Sequence, residues 1–451
     1  MDRRRSCETW TPFRISVQPR RRLSALLILA GALPAAAWAQ APQQQLTHFT
    51  PYADAAYEYD SNLFALANDV PEPLDSAGRP TRSDSFERYK AGFEGSYDWS
   101  LQELFGTAEF RQFEYQNFTS LSHSEYLVHG GLRWKADGLL DGVVDYSRER
   151  TQVSYLLFNA VQLNPNGTTT VQTNALTQLY LQVQDLATAS LNVQFTPEWR
   201  LENQAKINDV DSPRPFYPDL AVREDSLDEG FKYTGFANLS AGLTGEYLYG
   251  HFTSGEFLLS PSYHQTSVDF AADYTLSGLS VFHGAVGYSS RTQQAEPGVT
   301  GQQSGNISGL TGLLWYERDL TGKTSINLKL SRAINVYITA ATPEVDTIAE
   351  LDAQWDATDK ISVLLGYQYQ HSSIGATDIV GVISPSRTDN LQTPSLAVRW
   401  QVLDWLSLHP YMQYQTRGST DPAIYNFSGG IYGVQLEVRF GKQPPMLFVR
   451  P

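Results

Sequence analysis

The sequence predicts an all-β protein, a single transmembrane antiparallel β-barrel of about eighteen strands (16–18) with short turns at one end and long loops at the other. Three observations predict it. Apolar and polar residues alternate with period two in segment after segment, connections alternate between short and long, and seven tryptophans lie beside the short ones. Alternation of this kind is what a strand needs when one face meets lipid and the other meets water.

The chain opens on a different pattern. A basic stretch ends at Arg20-Arg21-Arg22, an apolar run extends from Leu23 to Leu33, and Ala37-Trp38-Ala39 precedes Gln40. A basic region, a short apolar core and an A-x-A site read as a cleavable secretory signal peptide over residues 1–39. The run is too short for a membrane-spanning helix. Of the 33 basic and 48 acidic residues in the chain, seven and two lie in this leader, leaving 26 and 46 and a net charge of -20. That acidity disfavours nucleic acid as a partner, since phosphate binding needs concentrated Lys and Arg. Cys7 is the single cysteine. An exported chain that loses it cannot be a disulfide-stapled scaffold. No later stretch reaches eighteen apolar residues, so strands are the means of crossing a membrane.

Residues 40–50 read as a short N-terminal periplasmic segment, with the barrel spanning 51–440 and a periplasmic tail at 441–451. Early in the barrel, Tyr89, Ala91, Phe93, Tyr97 and Trp99 alternate with Arg88, Lys90, Glu94 and Asp98. Leu104 to Phe118 mixes its faces around Glu109, Arg111 and Phe113, and so predicts a bulge or slip. Tyr126, Val128, Leu132 and Trp134 then oppose His129, Arg133 and Lys135, with Asp141 and Asp145 on the strand after. Further on, Leu201, Ala205 and Ile207 oppose Glu202 and Lys206, while Val268, Phe270 and Tyr274 oppose Asp269 and Asp273. Lys329, Asp352 and Arg399 belong to the same polar set, as do Glu437 and Arg439 in the last strand. These charged positions are the candidate lumen lining. In that last strand Tyr432, Val434, Leu436, Val438 and Phe440 make an apolar face ending in phenylalanine, which resembles the assembly signal read by the outer-membrane barrel insertion machinery.

Short turns are expected near 100–103, 135–140, 196–199, 238–241, 276–280, 318–323, 356–360 and 402–405. Long polar connections are expected at 65–85, 156–176, 208–228, 292–306 and 371–390. Each strand with its share of connection then takes roughly 22 residues, enough for the ~9–11 that cross a membrane plus rim and loop. Trp99, Trp134, Trp199, Trp315, Trp355, Trp400 and Trp405 all flank short turns. Indoles favour the headgroup level, so these seven are read as one aromatic girdle, with Tyr115, Tyr155 and Tyr369 as candidates for the opposite one.

Motifs for chemistry are weak. The eight histidines include no H-E-x-x-H pattern and no pair at ligand spacing, so no metal or other cofactor is indicated. Gly322-Lys323-Thr324 imitates the end of a phosphate loop but lacks its first glycine, and is read as a turn. No G-x-S-x-G elbow occurs. His123-Ser124-Glu125 crowds three suggestive residues into what reads as one short loop, where side chains seldom converge as a triad does. The expectation is a protein that is not an enzyme.

At the first strand the sequence runs Tyr59-Asp60-Ser61-Asn62-Leu63-Phe64. This Tyr-Asp-x-Asn-Leu-Phe entry, ahead of a long barrel with tryptophan at most short turns, resembles the EpsL-like outer-membrane proteins of exopolysaccharide gene clusters, themselves similar to a broader beta-barrel porin family. The resemblance spans the mature chain, with Tyr59, Asp60, Asn62, Leu63 and Phe64 as its motif. It implies a Gram-negative outer-membrane channel for export of a secreted exopolysaccharide, with inner-membrane and periplasmic export components as partners. Gln368, Gln370, Tyr411 and Gln413 are candidate contacts for a glycan chain. Two other readings stay open: a general or sugar-selective diffusion porin, and an outer-membrane enzyme or adhesin acting through loops 156–176 and 371–390.

Overall fold

The computed structural model describes residues 47–440, apart from 156–160, 164–168, 172–175, 213–219, 253–261, 295–304, 338–341, 376, 380–381, 385 and 422–424. The expected signal peptide and the 441–451 tail lie outside the described residues. The first strand starts at Thr47, so the end of the expected N-terminal segment is already barrel.

Eighteen strands form one sheet. They are β1 (Thr47–Asp60), β2 (Asp84–Trp99), β3 (Gln102–Tyr115), β4 (His123–Ala136), β5 (Leu140–Gln152), β6 (Leu181–Gln194), β7 (Trp199–Ser212), β8 (Leu220–Tyr233), β9 (Leu239–Phe252), β10 (Ser262–Ser277), β11 (Ser280–Gln294), β12 (Gly305–Thr321), β13 (Thr324–Tyr337), β14 (Thr342–Thr358), β15 (Ile361–Ile374), β16 (Arg387–Leu403), β17 (Leu406–Ser419) and β18 (Phe427–Arg439). Each pairs antiparallel with its sequence neighbours, and β1 pairs with β18, so the sheet closes into a barrel without a free edge. The closing seam is short. β1 meets β18 from Tyr52↔Arg439 to Asp60↔Ile431, nine pairs, whereas it meets β2 over fourteen, from Thr47↔Tyr97 to Asp60↔Asp84.

The connections at the end of the barrel that holds the start of β1 and the end of β18 are all short, two to five residues each, and only one at the other end, 338–341, is as short. Local chemistry shapes them. Ser100, Asp137 and Gly138 adopt positive φ, and the Thr321 hydroxyl accepts the Lys323 amide across the Gly322-Lys323 turn. β10, β12, β14 and β16 each carry a bulge just before the turn, at Thr275/Ser277, Asp319/Thr321, Asp356/Thr358 and Gln401/Leu403, the extra residue matching hairpin twist to a tight loop. The expected long connection at 208–228 is mostly strand, since β7 runs to Ser212 and β8 starts at Leu220. Asp209, Asp211, Arg223 and Asp225 lie on the outward face there while Val210 and Val222 are buried on the inner one, so the apolar-out, polar-in signal is lost. The expected slip between Leu104 and Phe118 is absent too: β3 keeps an unbroken register with β2 and β4. Its apparent mixing arises because Phe105, Phe113 and Tyr115 face inward with the charges.

The outside of the barrel is apolar. Leu310, Phe49, Val268, Leu243 and Val286 are each about 60% exposed, and such residues recur on every second position around the wall. A belt of large apolar side chains on all sides has no counterpart on a water-soluble surface, which makes this a membrane-spanning barrel. Above the belt, Arg148, Asp185, Asp209 and Arg223 face outward and sit opposite one another across four strands. Arg148 and Asp185 pair at 3.1 Å. Charges are costly in hydrocarbon, so this row marks the polar boundary toward the long loops.

Six of the seven tryptophans occupy outward positions near the short turns. Trp315 does not. It faces inward, stacks on His283 with ring centroids 4.7 Å apart, and donates its indole N–H to Asn327. Tyr115 and Tyr155 are likewise buried inside rather than forming a second belt. Trp134 lies across Gly142, where an added Cβ would come within 2.8 Å of the indole and closer still to the Ser190 carbonyl. Gly142→Val is therefore expected to destabilise the barrel by about 1–3 kcal/mol through overpacking. Equilibrium urea unfolding from lipid vesicles measures this.

Candidate functional site

Because side chains alternate across a strand, the positions between the apolar outward ones face the interior. That inner wall is ionic. On the sector formed by β16–β18 and β1–β5, Lys90 pairs with Asp54 at 2.9 Å and Arg88 with Glu58 at 3.1 Å. Arg439 bridges Glu94 at 2.7 Å and Glu437 at 2.9 Å. Arg111 reaches Glu109 at 2.5 Å and both Glu125 and Glu149 at 3.4 Å. Tyr52 donates its hydroxyl to Glu109 and carries the Arg439 guanidinium over its ring at 4.5 Å. Arg399 takes the corresponding inward place on β16.

Toward the short-turn rim, Arg133 pairs with Glu103 at 2.9 Å and lies 4.0 Å from the Phe105 ring, while Asp145 meets His129 at 3.4 Å. Asp98 sits opposite Glu103, and Lys135 opposite Asp141. Asp141 accepts from Arg200 at 2.8 Å, and Arg200 also reaches Glu202 at 3.3 Å. On the far wall Lys206 pairs with Asp228 at 3.0 Å, and Asp273 binds Lys232, Ser240 and His283. Lys329 pairs with Glu350 at 3.4 Å. Asp352 lies inward opposite Asn327, and Asp269 opposite Gly287.

Sequence reading passed over Tyr52, Asp54 and Glu58 on β1 and Glu109 and Arg111 on β3. Tyrosines on both faces of β1 and inward aromatics on β3 concealed the alternation. Glu109 and Arg111 share parity with Glu103 and Thr107, which is the signal that could have placed them.

His123, Ser124 and Glu125 do not assemble for catalysis. They begin β4 rather than forming a loop, and Ser124 points away from the other two. His123 is fixed between the Leu121 carbonyl at 2.7 Å and Glu125 at 3.3 Å. Among the described residues no group of His, Cys, Asp and Glu is arranged to hold a metal ion.

At the long-loop end, the connection 61–83 folds against the inner wall. The Asp60 carboxylate accepts the Asn62 amide at 2.8 Å and starts the turn. The Asn62 side chain donates to Leu66 O at 2.9 Å and Ser428 O at 3.0 Å, and accepts the Leu66 amide at 3.0 Å. This clamp turns Phe64 into a cluster with Leu66, Ala67, Val70, Phe118, Leu121, Val153, Tyr155 and Leu176, and with Phe86 and Tyr115 of the inner wall. Phe64 meets Phe118 and Tyr155 edge-on, at centroid distances of 4.8 and 4.9 Å. Asp84 locks the base: wholly buried, it accepts the amides of Ser85, Asn117 and Phe118 at 2.7–2.9 Å. The motif residues Asp60, Asn62, Leu63 and Phe64 thus build an ordered cap inside the mouth.

The tip of the cap turns on Asp75, which accepts the amides of Arg79 and Ala77 and the Arg79 guanidinium at 2.8 Å each. These donors, the Arg79 amide foremost, hold its carboxyl below the ordinary carboxylate range. A depressed folded value means that the contribution is full above the ordinary range near pH ~4 and is lost as pH falls below it. Hydrogen exchange should show Ala77 and Arg79 equally protected at pH 7 and 5 and less so at pH 3, after correction for intrinsic rates. Asp75→Asn should flatten that dependence.

No family model matches the chain, and no curated protein matches it. Solved structures align with it over most of its length at low identity. The FrpB iron transporter from Neisseria meningitidis aligns with a TM-score of 0.46 and 8% identity, over 81% of this chain and 62% of that one. The chain thus spans under two thirds of FrpB. FauA, the alcaligin outer-membrane receptor from Bordetella pertussis, aligns at 0.42 and 11% identity, over 87% and 76%. The outer-membrane protein OpdK from Pseudomonas aeruginosa aligns at 0.45 and 10% identity, over 87% and 99%.

Proposed function

We propose that the chain is a channel for hydrophilic solutes in the outer membrane of a Gram-negative bacterium, with its short turns toward the periplasm. One observation carries the reading: ionised side chains line the inside of a barrel whose outside is apolar. Charges in such numbers require water, and eighteen strands enclose enough space to hold it. The cap on residues 61–83 restricts that space at the outer mouth. The apolar face of β18 is the segment that the barrel insertion machinery would engage.

Export of an exopolysaccharide is the second reading, supported by the resemblance at Tyr59–Phe64 and by a polar strip on β15 and β17. Gln368 and Gln370 face inward there, Gln370 donating to Asp346 at 3.2 Å. On β17, Tyr411 and Gln413 face inward as well, which continues the amide and hydroxyl chemistry that suits a glycan onto a second strand. Periplasmic and inner-membrane components would then deliver the chain.

Single-channel recording of the refolded protein in planar bilayers, with and without the host's purified exopolysaccharide, tests both. Steady conductance indifferent to the polymer supports the diffusion channel. Conductance blocked by the polymer, together with loss of surface polysaccharide on gene deletion, supports export. A sealed barrel under all conditions rejects both.

A further inference from the structure

We infer that the pore passes cations in preference to anions of the same size; this deepens the channel reading and rests on it. The sector richest in cations is the place to look for the opposite preference. Even there, the six basic side chains of β1–β3, β16 and β18 stand among eight carboxylates, with Arg111 alone in contact with three. Every ion-paired cation in this sector is neutralised, and carboxylate charge is left over.

Elsewhere on the wall, carboxylates are satisfied by neutral donors. Asp346 accepts from Asn335 at 2.7 Å, Gln370 at 3.2 Å and Ser372. Asp356 accepts from Ser362 at 2.7 Å and Gln354 at 3.0 Å, and the Arg399 guanidinium, opposite Ser362 on β16, is near enough to act on it without being one of its hydrogen-bond donors. Glu224 accepts from Tyr263 at 2.6 Å and Asn208 at 3.3 Å. An amide or hydroxyl fills a lone pair but brings no positive charge, so hydrogen bonding is complete while the field stays negative. These three lie on β14 and β8, on different parts of the circumference, so the excess is a property of the whole wall. Low-dielectric walls of one sign focus the field along the pore and enrich the counter-ion.

The test is the reversal potential of the wild-type protein in planar bilayers under a KCl gradient at pH 7. At a mean salt of 0.1 M, K⁺ permeability should exceed Cl⁻ permeability about fivefold. The ratio should fall toward one near 1 M, where the screening length shrinks from ~10 Å to ~3 Å. The triple variant Asp346→Asn, Asp356→Asn, Glu224→Gln keeps an acceptor at each position and should at least halve the ratio. If it does not insert, Asp98→Asn at the more open short-turn rim should lower the ratio by a smaller amount. A wild-type ratio at or below one overturns the inference while leaving the channel intact, as does a ratio that neither substitution moves. Absence of any conductance overturns the channel reading and this inference together.

Discussion

Excising residues 65–80 and rejoining the chain through a short glycine linker should raise single-channel conductance about two- to threefold. The join is geometrically easy, because Leu63 already donates its amide to Arg82 O at 2.9 Å and the two ends of the segment lie side by side. The gain is expected because the apolar cluster around Phe64 includes Phe86 and Tyr115, whose side chains belong to the inner wall. A loop anchored to those residues lies within the mouth and narrows it. Barrel stability should change little, since all eighteen strands and their pairings remain. Unchanged conductance would place the loop above the entrance rather than in it.

Replacing Asp84 by alanine should produce nearly the same opening without removing a residue. Its carboxylate is fully buried and accepts three backbone amides from two separate stretches, the start of β2 and the turn at Asn117-Phe118. Hydrogen bonds to a charged acceptor contribute about 1.5–3 kcal/mol, and each orphaned buried amide adds a penalty of its own. A loss of about 3–4 kcal/mol therefore falls on the joint between β2 and the Asn117-Phe118 turn, against which the cap packs through Phe64 on Phe118. Asp84→Asn retains one acceptor oxygen and should lose about half as much. Conductance rising in the order wild type, Asn, Ala would confirm the hinge. Equal conductance in all three would show that the apolar cluster holds the cap alone.

The barrel was legible in the sequence because its cause is local. A strand between lipid and water must alternate, and in β2, β4 and β18 nothing interferes with the pattern. Legibility failed where the faces lost their apolar-out, polar-in contrast. Along 208–228 the outward residues are charged because the wall has risen above the hydrocarbon, and in β3 aromatics turn inward to pack beneath the cap. Trp315 was misplaced for a related reason: its position near a turn gave no sign of His283 and Asn327 on neighbouring strands. The motif at Tyr59–Phe64 was visible, but its work was not. Asn62 reaches Ser428, 366 residues away along the chain, and no spacing rule foresees that bond.

The short seam between β1 and β18 bears on how the barrel comes to exist. Every other pairing joins neighbours in sequence and can zip outward from a turn, whereas the seam must bring together segments separated by nearly the whole length of the chain. Closure entropy makes such a contact slow and late. Until it forms, the molecule is a curved sheet with two raw borders, each offering unpaired amides and carbonyls to any strand that comes near. The nine-residue overlap is thus both the final stitch and the natural place to reopen. A chain halted one step short would be a polymerisation hazard rather than a leaky pore.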